Sequence, residues 1–394
     1  MVVLRGLLAR RIKYSRVLYG LYYWVGSLAI NVLKFFVRPQ DNLVLFISFG
    51  GKQYDDSPRV IYEGLLRDPR FDHLELVWAF DDPNRYEVPR GIKVKTDTLR
   101  YFIYALKARI WITNSSVERG LAFKGKKTFY INTWHGSPIK TMGTDIPEGS
   151  RSFRSKAKFS ADLITAQSSY DVDVFSRVFQ IDRARFVVCG LPRNDVLVHG
   201  GSKQSEMKAR LGIPSEKKVI LYAPTYREFE LDEASSRIMS LPPVDFGMWE
   251  RELGKDYVVL FRAHYEVAER LKLDGSDFVR DVTRYPVLSD LMIASDILIS
   301  DYSSIFFDYS ILNKPMLCFA YDYDIYLEKR GLYFDVRNLL PGGSIDEKKL
   351  VELIKNLDYD EAIAKTKAFR EKYVETYGNA TTAVLSIIAD VLNC

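Results

Sequence analysis

Short apolar runs alternate with stretches of helical periodicity along most of this chain, and the alternation occurs twice. Leu43–Ile47, Leu74–Phe80, Ile110–Asn114, Thr128–Asn132, Leu163–Ala166 and Arg185–Cys189 read as strands. Pro58–Leu66, Thr98–Lys107 and Asp171–Phe179 read as helices between them. The polar, Gly/Ser-rich stretch 200–206 reads as a linker, and the pattern restarts with Lys218–Ala223, Tyr257–Phe261, Ile297–Ser300 and Pro315–Ala320. Runs that are apolar throughout, with helices between them, specify parallel strands covered on both faces. The expected class is therefore α/β, with two doubly wound domains facing a cleft. Domain bounds of 41–202 and 203–394 follow from the linker, and 394 residues suffice for two cores. Residues 346–394 are charged and helix-like, and are expected to pack back across the cleft.

Residues 297–315 show the pattern most fully. An apolar strand ends in the polar corner Ser300-Asp301-Tyr302-Ser303-Ser304. Ile305, Phe306, Tyr309 and Leu312 then recur at helical spacing, and Pro315 stops the helix. In open α/β sheets ligands bind where the strands' carboxyl ends meet the helix starts. Free N–H groups and the helix dipole there suit a phosphate, and Ser303 and Ser304 would add hydroxyl donors. The alternative is that the two serines only cap the helix.

Charge is unevenly placed. The net charge is +5, but Arg5, Arg10, Arg11, Lys13, Arg16, Lys34 and Arg38 all precede the first acidic residue, Asp41. The remainder is nearly neutral, which argues against a general nucleic-acid binder and for one basic segment over residues 1–40. Within it, Val17–Leu33 is uncharged and rich in Leu, Tyr, Trp and Val. An amphipathic segment lying on an anionic membrane surface is the first reading. A membrane span and a helix docked on the protein are the others. On any of them the catalytic body stays cytoplasmic. Cys189 and Cys318 sit in apolar, strand-like contexts and read as free thiols of a reducing compartment. No metal-ligand spacing, Walker loop or G-x-G-x-x-G is present, so no cofactor is expected.

Four histidines occur, and two of them follow strands. His135 lies in Thr133-Trp134-His135-Gly136-Ser137-Pro138-Ile139-Lys140, and His264 in Phe261-Arg262-Ala263-His264-Tyr265. One falls in each half of the chain. Facing each other across a cleft, they would suit proton acceptance and phosphate stabilisation. Arg262 and Lys140 add positive charge near the same strand ends, and Thr225 and Arg227 follow Lys218–Ala223 in the same way. Taken singly, each reads as an ordinary loop residue in a surface salt bridge.

These segments, with Tyr222-Ala223-Pro224-Thr225-Tyr226-Arg227, Phe319-Ala320-Tyr321-Asp322 and Gly331-Leu332-Tyr333-Phe334-Asp335, resemble in order those of the CDP-glycerol glycerophosphotransferases of teichoic acid and capsule synthesis. The resemblance spans roughly residues 42–390. It implies a GT-B fold of two Rossmann-like domains with the active site between them, peripheral on the inner face of a bacterial membrane. CDP-glycerol, or CDP-ribitol, would be the donor and a lipid-linked saccharide or polymer the acceptor. It further implies that His135 is a general base and that His264 and Arg262 contact the donor phosphates. Asp301, Ser303 and Ser304 would belong to the donor site, with Lys140, Thr225, Arg227 and Gly136 as further substrate-binding residues. Two positions depart from the family pattern. Tyr265 follows the second histidine where Pro is common, and Asp55-Asp56-Ser57-Pro58 stands where relatives commonly carry an Asn.

Overall fold

Residues with side chains on both faces of a sheet stay apolar only when both faces are covered, and the central strands here follow that rule. The computed structural model describes residues 15–146, 159–225, 227, 242–263 and 277–393. By internal contacts the chain forms two compact units. Unit 1 comprises the described parts of Met1–His135, Met142–Asp195 and Asn379–Cys394; unit 2 comprises those of Gly136–Thr141 and Val196–Gly378.

Unit 1 contains helix α1 (Arg16–Leu33), β1 (Gln40–Ile47), α2 (Asp56–Arg67), β2 (Glu75–Phe80), β3 (Ile92–Lys95), α3 (Leu99–Lys107), β4 (Ala108–Thr113), β5 (Phe129–Asn132), β6 (Leu163–Ala166), α4 (Ser169–Phe179) and β7 (Phe186–Val188). The strands form one parallel sheet in the order β3-β2-β1-β4-β5-β6-β7. Leu43, Leu45 and Ile47 point to one face, where α3 packs through Tyr101, Ala105 and Leu106. Val44 and Phe46 point to the other, beneath Ile61, Tyr62 and Leu65 of α2. Strand order reverses between β1 and β4, so the crevice for a ligand in this sheet lies at their carboxyl ends.

Unit 2 contains α5 (Gly200–Arg210), β8 (Lys218–Tyr222), α6 (Phe246–Leu253), β9 (Tyr257–Phe261), β10 (Val279–Asp281), α7 (Leu288–Ala294), β11 (Ile297–Ser300), α8 (Ile305–Ser310), β12 (Met316–Phe319), α9 (Tyr323–Arg330), β13 (Gly342–Gly343), α10 (Glu347–Lys355) and α11 (Tyr359–Tyr373). Its parallel sheet runs β10-β9-β8-β11-β12-β13 and reverses between β8 and β11. Trp249 of α6 and Leu350, Val351 and Ile354 of α10 cover one face, over Tyr222, Phe261 and Ile299.

The final helix, α12 (Ala380–Leu392), belongs to unit 1, whereas α10 and α11 stay in unit 2. Ala380, Val384 and Ile388 pack in the same cluster as α2. The Asp195 carboxylate accepts from the Ala380 and Thr381 amides at 3.0 and 2.7 Å, which holds the start of α12.

The expected linker near 200–206 is instead the start of a helix, and the units meet in sequence at Asp195 and Val196. Gly200 lies where a Cβ would come within 2.6 Å of Leu312 and 3.0 Å of Ile293. The glycine there serves close packing rather than freedom of the chain.

Helix α1 likewise belongs to unit 1 rather than standing apart as a segment of residues 1–40. Ser27 is buried, its hydroxyl accepts from the Ala122 amide at 2.9 Å, and Asn31 donates to the Ala122 carbonyl at 2.8 Å. Its outer face exposes Val17, Leu21, Trp24, Val25 and Leu28, and Phe35 and Phe36 follow, exposed. Among the described residues, no helix is long and apolar enough to cross a membrane.

Candidate active site

In unit 1, β5 delivers His135. Thr133 donates to the Thr113 carbonyl at 2.8 Å and so extends the β4–β5 pairing by one residue. The Asn132 side chain then accepts from the Trp134 amide at 2.8 Å, and Trp134 turns into the left-handed region with φ 51°. Non-glycine residues pay for that conformation, and the surrounding structure must hold them in it. Trp134 is held by rings: Phe175 and Phe179 lie 5.8 and 4.8 Å away, and its own ring stacks on His135 at 4.4 Å.

His135 keeps solvent-accessible surface, yet two contacts fix its ring. Nδ1 lies 2.7 Å from the Asn114 carbonyl oxygen just past β4, and the Phe49 ring lies 5.8 Å away just past β1. Phe49 is itself left-handed, with φ 46°, and its amide donates to the Asn114 side chain at 2.8 Å. The histidine therefore stands at the crevice of this sheet. Loss of solvation lowers its proton affinity below the ordinary 6.5, against the Asn114 carbonyl and Asp56, which raise it; Arg193 adds to the lowering. Asp56, buried at the start of α2 with φ 65°, pairs with Arg193 at 2.6 Å. The result is a neutral imidazole near pH 7 with a fixed ring plane.

In unit 2 the expected donor residues converge on the β8–β11 reversal. The Ser300 hydroxyl donates to the Ala223 carbonyl at 2.7 Å, and Asp301 accepts from the Thr225 and Tyr302 amides at 2.9 and 2.7 Å. Arg227 is 4% exposed and turned inward. It meets Asp301 at 2.9 Å, grips Asp322 at 2.7 and 2.9 Å, and donates to the Thr225 carbonyl at 2.6 Å. Burial by itself would lower its proton affinity; Asp301 and Asp322 outweigh that and raise it. Arg227 and Asp301 thus spend their charge on one another. They hold the corner in shape.

The ring pair Tyr302–Tyr326, stacked at 3.9 Å, lies between this cluster and Lys140, whose Nζ is 6.0 Å from the Tyr326 ring. Lys140 belongs to unit 2 because residues 136–141 run beside 331–333. Thr141 donates to the Gly331 carbonyl at 3.1 Å and Tyr333 to that of Ile139 at 2.8 Å. Gly136, with φ 148°, opens that segment. Arg262 donates to the carbonyls of Val282 and Tyr285 at 3.2 and 2.7 Å, beside the end of β8. Ser303 and Ser304 stand half-buried before α8; the Ser303 hydroxyl accepts from the Ile305 amide at 3.3 Å, as a cap would. His264 lies outside the described residues. Among those described, no group of three or more His, Cys, Asp or Glu is placed to hold a metal ion.

Three neighbours of His135 carry no mark in a single sequence. Asn114 reads only as a strand end, Phe49 as core, and Arg193 as one of many surface arginines. Their common signal is position, since each follows the carboxyl end of a parallel strand.

The model of the family described as CDP-Glycerol:Poly(glycerophosphate) glycerophosphotransferase matches residues 29–390. The chain belongs to this family. It is 37% identical over 340 residues to the teichoic acid poly(glycerol phosphate) polymerase of Staphylococcus epidermidis, which covers 82% of this chain but only 46% of that protein. The chain thus spans about half the length of that relative. The teichoic acid glycerol-phosphate transferase of Staphylococcus aureus is 33% identical over 356 residues, covering 85% of this chain and 89% of that one. The solved structure of the wall teichoic acid polymerase TagF superposes with a TM-score of 0.81 at 32% identity, covering 90% of each chain. The glycerophosphotransferase fold is therefore that of both units described above.

Proposed function

We propose that this chain transfers glycerol phosphate from CDP-glycerol to a hydroxyl of a membrane-held acceptor, a lipid-linked saccharide or growing polymer, and releases CMP. The observation that carries this reading is His135: its Nδ1 is committed to the Asn114 carbonyl, which leaves Nε2 as the basic nitrogen at the sheet's crevice. The acceptor oxygen attacks the β-phosphorus as its proton passes to Nε2. The bond to the bridging oxygen breaks, and CMP departs with that oxygen. Catalysis of this kind is positioning and electrostatic stabilisation, without a covalent intermediate. Arg262, Lys140, His264 and the Ser303-Ser304 corner supply the positive charge and donors for the diphosphate, and the Arg227–Asp301 pair keeps that corner in shape.

A position on the inner, anionic surface of the membrane, beside a membrane-held acceptor, is supported by the exposed apolar outer face of α1 and the basic residues before it in sequence. The names of both relatives contain glycerol phosphate, and this supports glycerol rather than ribitol as the donor polyol.

The test is incubation of the purified chain with a lipid-linked disaccharide and CDP-glycerol, CDP-ribitol or a UDP-sugar, with products identified by mass spectrometry. Glycerol phosphate added with release of CMP is the expected result. Turnover on the sugar nucleotide alone refutes the reading.

A further inference from the structure

Within unit 1, helix α1 and the turn that packs on His135 are joined by one residue, Arg119, through its backbone carbonyl and its side chain. Arg119 lies in the connection between β4 and β5, in the left-handed region with φ 56°, and is followed by Gly120 with φ 82°. That conformation presents its carbonyl to α1, where the Tyr22 hydroxyl donates to it at 2.9 Å. The guanidinium reaches the opposite way. Nε and Nη2 fork onto the Asp97 carboxylate at 2.8 and 2.7 Å, and Nη1 donates to the Gly50 carbonyl at 3.0 Å.

Gly50 belongs to the turn that places Phe49 on His135. Its amide donates to the Ser115 hydroxyl at 3.0 Å, as the Phe49 amide does to Asn114. Phe49, Gly50 and Gly51 are all left-handed, with φ 46°, 67° and 96°. A run of such residues does not hold its shape unaided, and its carbonyls need partners to fix it. A Cβ at Gly50 would lie 2.9 Å from Nη1 of Arg119, so the turn and the guanidinium fit against each other.

The Arg119–Asp97 pair adds little to stability. Asp97 is 56% exposed, and exposed pairs contribute little. Its geometry matters more. An arginine fork fixed by one carboxylate has a defined third donor direction, and here that direction carries the catalytic turn.

We propose that Arg119 is a positioning residue: it holds the Phe49–Gly50 turn against His135 and ties that turn to helix α1. The proposal rests on the reading of His135 as the base. It makes the docking of α1 part of the catalytic geometry, beyond any part the helix plays at a membrane.

The experiment compares Arg119→Ala, Arg119→Lys, Tyr22→Phe and His135→Ala in the full chain. CMP release is measured against CDP-glycerol concentration, and thermal unfolding is recorded beside it. Arg119→Ala is expected to lower kcat about 10–100-fold, the scale set by misplacing a reacting group by an ångström, with KM for CDP-glycerol within about twofold. Arg119→Lys keeps the charge but loses the fork, and should recover part of the loss. Tyr22→Phe removes one neutral hydrogen bond at the far end of the tie, and should lower kcat about 2–5-fold. Wild-type kcat in Arg119→Ala, with His135→Ala inactive, overturns the positioning role alone. Wild-type turnover in His135→Ala overturns the underlying reading whatever Arg119 does. If Arg119→Ala does not fold, Arg119→Lys and Tyr22→Phe decide: wild-type kcat in both overturns the proposal, and lowered kcat at unchanged KM supports it.

Discussion

The Nδ1 atom of His135 lies 2.7 Å from the carbonyl oxygen of Asn114. A carbonyl only accepts, so Nδ1 carries hydrogen in both protonation states of the ring, and the lone pair of the neutral form sits on Nε2. A carbonyl just past β4 thus chooses the tautomer of a residue that follows the neighbouring strand, β5. Replacing His135 with Gln keeps a polar group of similar reach but removes the base. The expected outcome is a fall in kcat of about 10²–10⁴-fold. CDP-glycerol binding, followed by calorimetry, should change little. A kcat near the wild-type value refutes the role.

Burial of the ring lowers its proton affinity below 6.5. The acidic limb of kcat/KM should therefore have its midpoint below 6.5, and this limb should vanish in His135→Gln. The sign for stability follows from linkage. The unfolded chain binds the proton more readily, so this contribution is complete above 6.5 and is lost as pH falls from 6.5 through the lower folded value. Asp56 raises the affinity and Arg193 lowers it. Asp56→Asn should shift the limb to lower pH, and Arg193→Gln should shift it to higher pH. A pH–rate series on the variants checks both directions.

The Arg227 cluster predicts a different kind of failure. Its guanidinium is buried against two carboxylates, those of Asp301 and Asp322. Arg227→Met leaves both without their counter-charge, a loss of about 3–5 kcal/mol by the measure of broken buried pairs. Urea denaturation should register it, and the variant should bind CDP-glycerol poorly only because the Ser303-Ser304 corner loosens. A variant as stable as the wild type, with donor binding alone impaired, would show instead that Arg227 touches the donor.

Much of the fold was legible because parallel strands buried on both faces leave an unambiguous trace. Tyr257–Phe261 and Ile297–Ser300 are strands over the residues that their apolar runs indicate. The traces fail at sheet edges. β3 reads Ile-Lys-Val-Lys, a half-exposed strand, and β13 is a pair of glycines. Helix α5 is hidden in the sequence because it opens Gly-Gly-Ser and buries little beyond Met207, so its periodicity is too weak to outweigh its composition. At the site, strand ends told where His135, Thr225 and Asp301 would stand. They did not tell that Arg227 would turn inward, since its partners Asp301 and Asp322 lie far along the chain. The sequence separates residues that the β8–β11 reversal brings together.

Helix α1 carries the last prediction. Its inner face is engaged: Tyr22 and Asn31 donate to carbonyls of residues 119 and 122, and Ser27 is buried. Its outer face is apolar and exposed, with Trp24 at 73%, Leu28 at 67% and Phe36 at 81%. An exposed apolar face of this kind suits the interfacial layer of a bilayer. Basic residues before the helix add attraction to anionic lipid, at about 1 kcal/mol each near the surface. Trp24→Glu with Phe36→Glu should therefore weaken binding to anionic vesicles, measured by sedimentation, while leaving CMP release with a water-soluble acceptor intact. Raised salt should weaken binding of the wild type as well, because the electrostatic part is screened within a Debye length of about 10 Å at 0.1 M. Binding that survives both the double substitution and high salt would place the membrane contact elsewhere on the chain.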